Sequence, residues 1–278
     1  MTPMEVVFWR FVLAISVLVP LLASGVFRGG RGSGRNSMAP TLLRRPQREH
    51  WPVFLLNAFL MVPAQFVLQF EGLARTSASS ASLLVGFFAP LMAIGGVVIA
   101  RERLHLAGWL AIALSTVGVG IMVGNPGAGR TLTGDLMVVG SLVCAVCMVL
   151  VTQRLIRRYD ALTVTVWSMG LGTMVLLPWI LVVQGWPGLP TGALAWAGIL
   201  ALGFGCTAAT FSLWNWGLRY VPASHAGVFV NLEPFIGAVL GVTLLGDTLT
   251  VALVVGGVLI LGAAMIISWP RPQPAIAI

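Results

Sequence analysis

The chain is 278 residues long, with 58% hydrophobic and 9% charged residues, against about a quarter charged in an ordinary soluble domain; no water-soluble core encloses that much apolar surface. Its formal charge of +8 comes from sixteen arginines and no lysine, set against eight acids. In a soluble protein that excess would point to nucleic acid, but arginines gathered in links between apolar runs are what the positive-inside rule produces, so nucleic acid drops out as a partner. Cys144, Cys147 and Cys206 all lie within apolar runs, which leaves no disulfide framework or zinc site, and no metal or cofactor is expected.

Runs of about 20 apolar residues recur along the chain, each long enough to cross a hydrocarbon layer of roughly 30 Å as a helix. They are apolar all round, whereas barrel strands alternate, so a β-barrel is excluded. The first run lacks a basic leader and is too long for a signal peptide. Turn residues and charges divide the chain into nine predicted spans near residues 4–27, 51–73, 77–100, 105–124, 133–155, 161–184, 191–215, 222–245 and 249–269. The one long connection, residues 28–50, is rich in Gly, Pro and Arg. If it faces the cytoplasm, that side collects Arg28, Arg31, Arg35, Arg44, Arg45, Arg48, Arg101, Arg103, Arg154, Arg157, Arg158, Arg219 and Arg271, thirteen of the sixteen, and leaves Arg10, Arg75 and Arg130 for the other. This bias predicts a multi-pass protein of the inner (plasma) membrane, with a cytoplasmic C-terminus.

The sequence also repeats itself. Trp9 and Pro20 match Trp167 and Pro178 at an offset of 158; Trp51, Gly72-Leu73, Ser79 and Ala81 match Trp196, Gly217-Leu218, Ser224 and Ala226 at 145; and Pro90 pairs with Pro234. Met1 aligns near Tyr159, so span 133–155 has no partner in the first half. The expectation is an all-α integral membrane protein of nine transmembrane helices in two inverted-topology repeats, four plus five helices of a ten-helix plan that lacks its first. Residues 1–124 form the first repeat and 125–278 the second, within a single transmembrane domain.

The stretches GLARTSASSASLLVGFFAPLMA and ARERLHLAGWLAIALSTVGVGI in the first half, and GLRYVPASHAGVFVNLEPFIGAVLGVTLLGDTL in the second, resemble the drug/metabolite transporter superfamily, EamA type. Leu232-Glu233-Pro234 followed by LGDTL from Leu245 looks like the family's second-repeat signature, with Asp247 where members usually carry Glu. The resemblance covers essentially the whole chain. It implies ten helices in two five-helix repeats and a secondary transporter that moves metabolites or drugs, often outward, with a cavity between the repeats.

Ionisable and polar groups inside the bilayer are costly, so each is a candidate for function. Glu233 lies about eleven residues, or roughly 16 Å, into its span, beside a proline that loosens the helix; it reads equally as a proton- or substrate-contacting carboxylate and as a structural hydrogen bond. Arg10 could clamp a substrate carboxylate with its planar fork, pair with Glu5 or Glu233, or snorkel outward; pairing is favoured. His225, two turns before Glu233, would share its helix face and form a polar line with Asn231, although a structural histidine is the commoner case. Gln65 and Gln69, four apart, are candidate cavity lining, as is Trp214, which with Trp216 also fits an interfacial belt. Arg101, Glu102, Arg103 and Asp247 read as solvated pairs or helix caps. Gly120 with Gly124, and Gly237 with Gly241, have the spacing that lets helices approach closely.

The leading function is thus secondary transport of a small molecule, with protons as a conceivable coupling ion and the lipid bilayer as surroundings; the oligomeric state is not readable. A non-transporting membrane partner derived from a transporter stays open as an alternative. A membrane enzyme is disfavoured by the absence of HExxH, GxSxG and paired acidic metal motifs, and an ATP-driven pump by the absence of a Walker loop.

Overall fold

The computed structural model describes residues 2–24, 46–76, 78–123, 131–240, 243 and 250–268. Among them the chain is helical, without strands. In order it forms α1 (Pro3–Ser24), α2 (Trp51–Phe59), a π-helical segment (Leu60–Ala64) running into α3 (Gln65–Leu73), α4 (Ala78–Val85), α5 (Phe88–Val98), α6 (Leu106–Val123), α7 (Leu132–Ile156) and α8 (Ala161–Val183). Next come α9 (Ala193–Leu200), a second π segment (Ala201–Ala209) running into α10 (Thr210–Gly217), α11 (Ala223–Val230), α12 (Leu232–Leu240) and α13 (Val251–Ser268). Pro3–Ala23, Arg48–Leu73, Leu132–Ile156, Ala161–Val183 and Ala193–Gly217 are long and apolar enough to cross a membrane.

The helix ends have chemical causes. Asp160 accepts a hydrogen bond from the Leu162 amide (3.1 Å) and caps α8. The Thr131 hydroxyl accepts from the Gly134 amide (3.1 Å) at the start of α7 and donates to the Arg75 carbonyl, while Thr76 donates to Asp135 in the same turn (2.6 Å). Such side chains satisfy amides that the first turn of a helix leaves without partners.

Two predicted spans are broken rather than continuous, and by the same means. Proline has no N–H to offer the carbonyl four residues earlier. Pro90 follows a break at Gly86-Phe87 between α4 and α5, where the Phe87 amide bonds Leu84 O (2.9 Å). Pro234 follows a break at Asn231 between α11 and α12, where the Asn231 amide bonds Val228 O (3.2 Å). Each break sits three residues ahead of its proline.

The described helices form two compact units, Met1–Ala74 with Gly140–Val221, and Arg75–Val139 with Pro222–Ile278. Each draws on both halves of the sequence, so the compact units are a different partition from the sequence repeats. In the first unit α1 packs on α8 and on the second π segment, and α2 on α8, around fully buried Val7, Phe11, Ala14, Phe54, Ala58, Met169 and Leu176. In the second, α6 packs along α13 and α5 on α11, around Ala89, Ala93, Ala111, Ile112, Val228 and Ala263.

Between apolar helices in lipid, close van der Waals contact replaces the hydrophobic effect as the cohesive term, and small residues permit it. A Cβ on Gly118 would lie 2.7 Å from the Gly256 carbonyl, and one on Gly256 would strike Met122. Gly172 lies as near Ala58 O (2.7 Å), and Gly203 sits 2.8 Å from Leu13 Cβ. Gly203 is the repeat counterpart of Ala58, and Gly172 that of Ala14 by the sequence offsets, so the two crossings are repeat-related and the second half supplies the glycine in both. The expected approach at Gly120 is corrected: no atom lies within 4 Å of a Cβ there. The seam is one face round the helix, at Gly118; Gly124 and Gly241 lie outside the described residues.

Gly172→Leu and Gly256→Leu should each destabilise the protein in mild detergent by about 1–3 kcal/mol, read as a lower melting temperature. Gly120→Leu should stay within roughly 0.5 kcal/mol of the parent. Equal losses at all three would contradict these contacts.

Candidate functional site

Unit one contains a cation within an apolar helix. Arg10 is placed by α1, two turns in from Pro3, and is half-buried. Its Nε donates to Thr207 Oγ1 (2.9 Å) on the second π segment. Thr207 is fully buried and donates its own hydroxyl hydrogen to Leu202 O (2.8 Å), so a lone pair is left to face Arg10 and the orientation is fixed. The guanidinium carbon stands 5.2 Å from the ring centre of Phe66 and 5.6 Å from that of Phe11. Cation–π attraction of this kind offsets part of the desolvation of the charge. Phe11 in turn meets Phe66 (5.3 Å) and Phe211 (6.2 Å), which occupy equivalent places at the sequence offset of 145. One face of the site therefore comes from each half of the chain.

The expected pairing of Arg10 with Glu5 is not found. Glu5 accepts from the amides of Thr2 (2.6 Å) and Gly188 (3.0 Å), and the Trp9 indole donates to Gly188 O (2.8 Å). These bonds fasten the start of α1 to the segment after α8 and occupy the Glu5 carboxylate. Snorkelling toward the helix end is likewise replaced by the inward bond to Thr207, because a buried hydroxyl on a neighbouring helix is within reach. The π segments that flank the site, Leu60–Ala64 and Ala201–Ala209, widen the helix locally; such bulges are frequent at functional positions.

Gln65, Gln69 and Trp214 are half-buried in the same unit, on α3 and α10. Gln65 directly precedes Phe66, and its Oε1 is enclosed without a hydrogen-bond partner, as is Ser212 Oγ beside Phe211. Buried polar atoms are rarely left unsatisfied. Trp216 is 56% exposed and stacks edge-on with Tyr220 (5.3 Å). Deeper in the unit, Asn57 donates to Ser168 Oγ (2.8 Å) and accepts from Thr152 (3.1 Å), joining α2, α8 and α7. Asn57, Thr152, Ser168 and Thr207 escaped the reading of the sequence, although a small polar residue amid an apolar span was the available signal.

Glu233, Asn231 and His225 belong to unit two. The polar line they were expected to form is interrupted. Asn231 ends α11, is buried, and donates to Ser115 Oγ (3.0 Å), whereas Glu233 opens α12 and is exposed. The break ahead of Pro234 turns the two apart, and His225 is half-buried near the start of α11. In the same unit Glu102 acts as a helix cap: its carboxylate accepts from the amides of Ala223 (2.9 Å) and Ser224 (3.0 Å) at the start of α11. Arg101, in the left-handed region at φ 56°, turns the chain so that Glu102 can reach. Asp247 lies outside the described residues. Among the described residues no group of His, Cys, Asp and Glu could hold a metal ion.

Two stretches, residues 1–124 and 132–269, match the model of the EamA-like transporter family. The chain belongs to that family. An uncharacterized transporter of Archaeoglobus fulgidus is 30% identical over 225 residues, covering 81% of this chain and 77% of that protein. The uncharacterized inner membrane transporter YicL of Salmonella typhimurium is 29% identical over 220 residues, 78% of this chain and 71% of its own. A solved crystal structure superposes with a TM-score of 0.77 at 20% identity, over 96% of this chain and 88% of the other, so the fold is shared. As an EamA-like protein with these apolar helices, the chain is a multi-pass membrane protein of a transporter family.

Removing the α11 cap with Glu102→Ala should cost about 1–2 kcal/mol of stability, and Glu102→Asp, one methylene short, should recover little of it. Thermal unfolding in detergent measures both. A Glu102→Ala protein as stable as its parent would refute the cap.

Proposed function

We propose that this EamA-like protein is a secondary transporter that carries small organic metabolites or drugs outward across the inner membrane by alternating access. The observation that carries this reading is the Arg10 site: a charged group held inside an apolar layer by helices from both halves of the chain. Such a charge is costly without a use, and a site shared between repeats is the usual arrangement in transporters built from inverted repeats. Residues 1–124 and 125–278 are read as the two repeats, which the matched breaks ahead of Pro90 and Pro234 and the paired Phe66 and Phe211 support. The enclosed, unpartnered oxygens of Gln65 and Ser212 supply polar capacity that a second conformation would use. Glu233, exposed on α12 beside the helix break, is the proposed point of proton coupling. The end bearing Arg48, Arg158 and Arg219 faces the cytoplasm, and the C-terminus is on that side.

Two measurements test this. Inside-out vesicles that contain the protein should accumulate solute when a proton gradient is imposed, and Glu233→Gln should uncouple accumulation from the gradient. No movement of any solute in a broad panel, alongside an active relative, would refute transport. A C-terminal reporter active only outside the cytoplasm should stay silent; activity would reverse the topology.

A further inference from the structure

We infer that Arg10 is the anion-binding point of the site and that the solute it selects carries a single carboxylate. The inference rests on the proposed transport reading and names its substrate class.

The Nε edge of the guanidinium is committed to Thr207. Its other edge, the two Nη nitrogens, meets no acceptor among the described residues. Of the unit's four acids, Glu5 bonds the amides of Thr2 and Gly188, Asp160 bonds Arg219 (2.7 Å) and caps α8, Glu49 stands in the short turn before α2 and Glu71 near the end of α3, and none is ion-paired with Arg10 among the described residues. A cation in an apolar layer without a counter-ion carries a penalty of several kcal/mol, which a bound anion removes. The free edge offers two parallel N–H groups, the pattern that a planar carboxylate accepts as a pair.

Charge balance narrows the choice. The chain has no lysine, and in this unit the described arginines Arg48, Arg154, Arg157, Arg158 and Arg219 all stand at or beyond helix ends. One cation within the layer balances one negative charge. A phosphate monoester, with nearly two, would leave an excess that no other described cation of the unit stands within the layer to neutralise. Phe11 and Phe66 supply an apolar wall next to the guanidinium, with Phe211 packed against Phe11, which suits a carboxylate carried on an apolar or aromatic body.

The test is equilibrium binding to the purified full chain in nanodiscs of zwitterionic lipid, with 3-phenylpropionate, its neutral amide and phenyl phosphate as probes. The carboxylate should bind and raise the melting temperature; the amide and the phosphate should bind roughly tenfold or more weakly, the scale of a lost charge-assisted pair. Arg10→Gln should abolish the difference between carboxylate and amide, and Arg10→Lys, which keeps the charge and loses the fork, should fall between. The wild-type probe series stands by itself if Arg10→Gln does not fold. Equal binding of carboxylate and amide, tighter binding of phenyl phosphate, no binding of the carboxylate, or unchanged carboxylate affinity in Arg10→Gln would each overturn the inference. Carboxylate binding without flux would instead count against transport, and flux of neutral solutes without carboxylate binding against the inference alone.

Discussion

The constraint on which the structure turns is the cost of a charge or an open backbone bond where water is absent. Arg10 shows how that cost is met. One hydrogen bond to a buried threonine fixes the Nε edge, and two aromatic faces stand beside the guanidinium carbon at 5.2 and 5.6 Å. The threonine can serve because its own hydrogen is spent on Leu202 O within the π segment, where the wider turn admits that bond. The glycine crossing of α1 with the same segment, at Gly203 and Leu13, brings the two helices close enough for it. Local backbone, packing and the placement of charge are thus one arrangement.

Open backbone bonds follow the same logic in the second unit. Prolines at 90 and 234 each free a carbonyl, and the chain responds with a tight turn three residues earlier. At Asn231 that turn directs a side-chain amide to Ser115, and the next residues carry Glu233 to an exposed position. Glu102 closes the other end of α11 by meeting two of its amides. α11 is thus a short helix with both ends chemically defined, beside a carboxylate at the break.

Much of the architecture was legible in the sequence because apolar length is a strong signal where water is absent. The predicted spans and the described helices agree within a few residues, and the repeat offset of 145 carries Phe66 onto Phe211. Three things were less legible. Asn231 and Glu233 were assigned to one polar line because periodicity assumes an unbroken helix, and the proline invalidates it. Arg10 was expected to pair with Glu5 or Glu233, but at Glu5 the backbone amides of Thr2 and Gly188 compete for the carboxylate. Gly120 was named with Gly124 on four-residue spacing alone, which does not say which face of the helix bears the seam. Thr207 and Asn57 show the limit most plainly: a single hydroxyl or amide barely alters hydropathy, and its partners lie far away in sequence.

The central claim is that Arg10 and Thr207 act as one unit joining the two halves of the chain. A double-mutant cycle tests it most directly, comparing the unfolding free energies of the parent, Arg10→Gln, Thr207→Val and the double variant in one mild detergent. The account predicts a coupling of about 0.5–3 kcal/mol, as for side chains in direct contact. Strictly additive losses would show that the two residues do not interact and would contradict it.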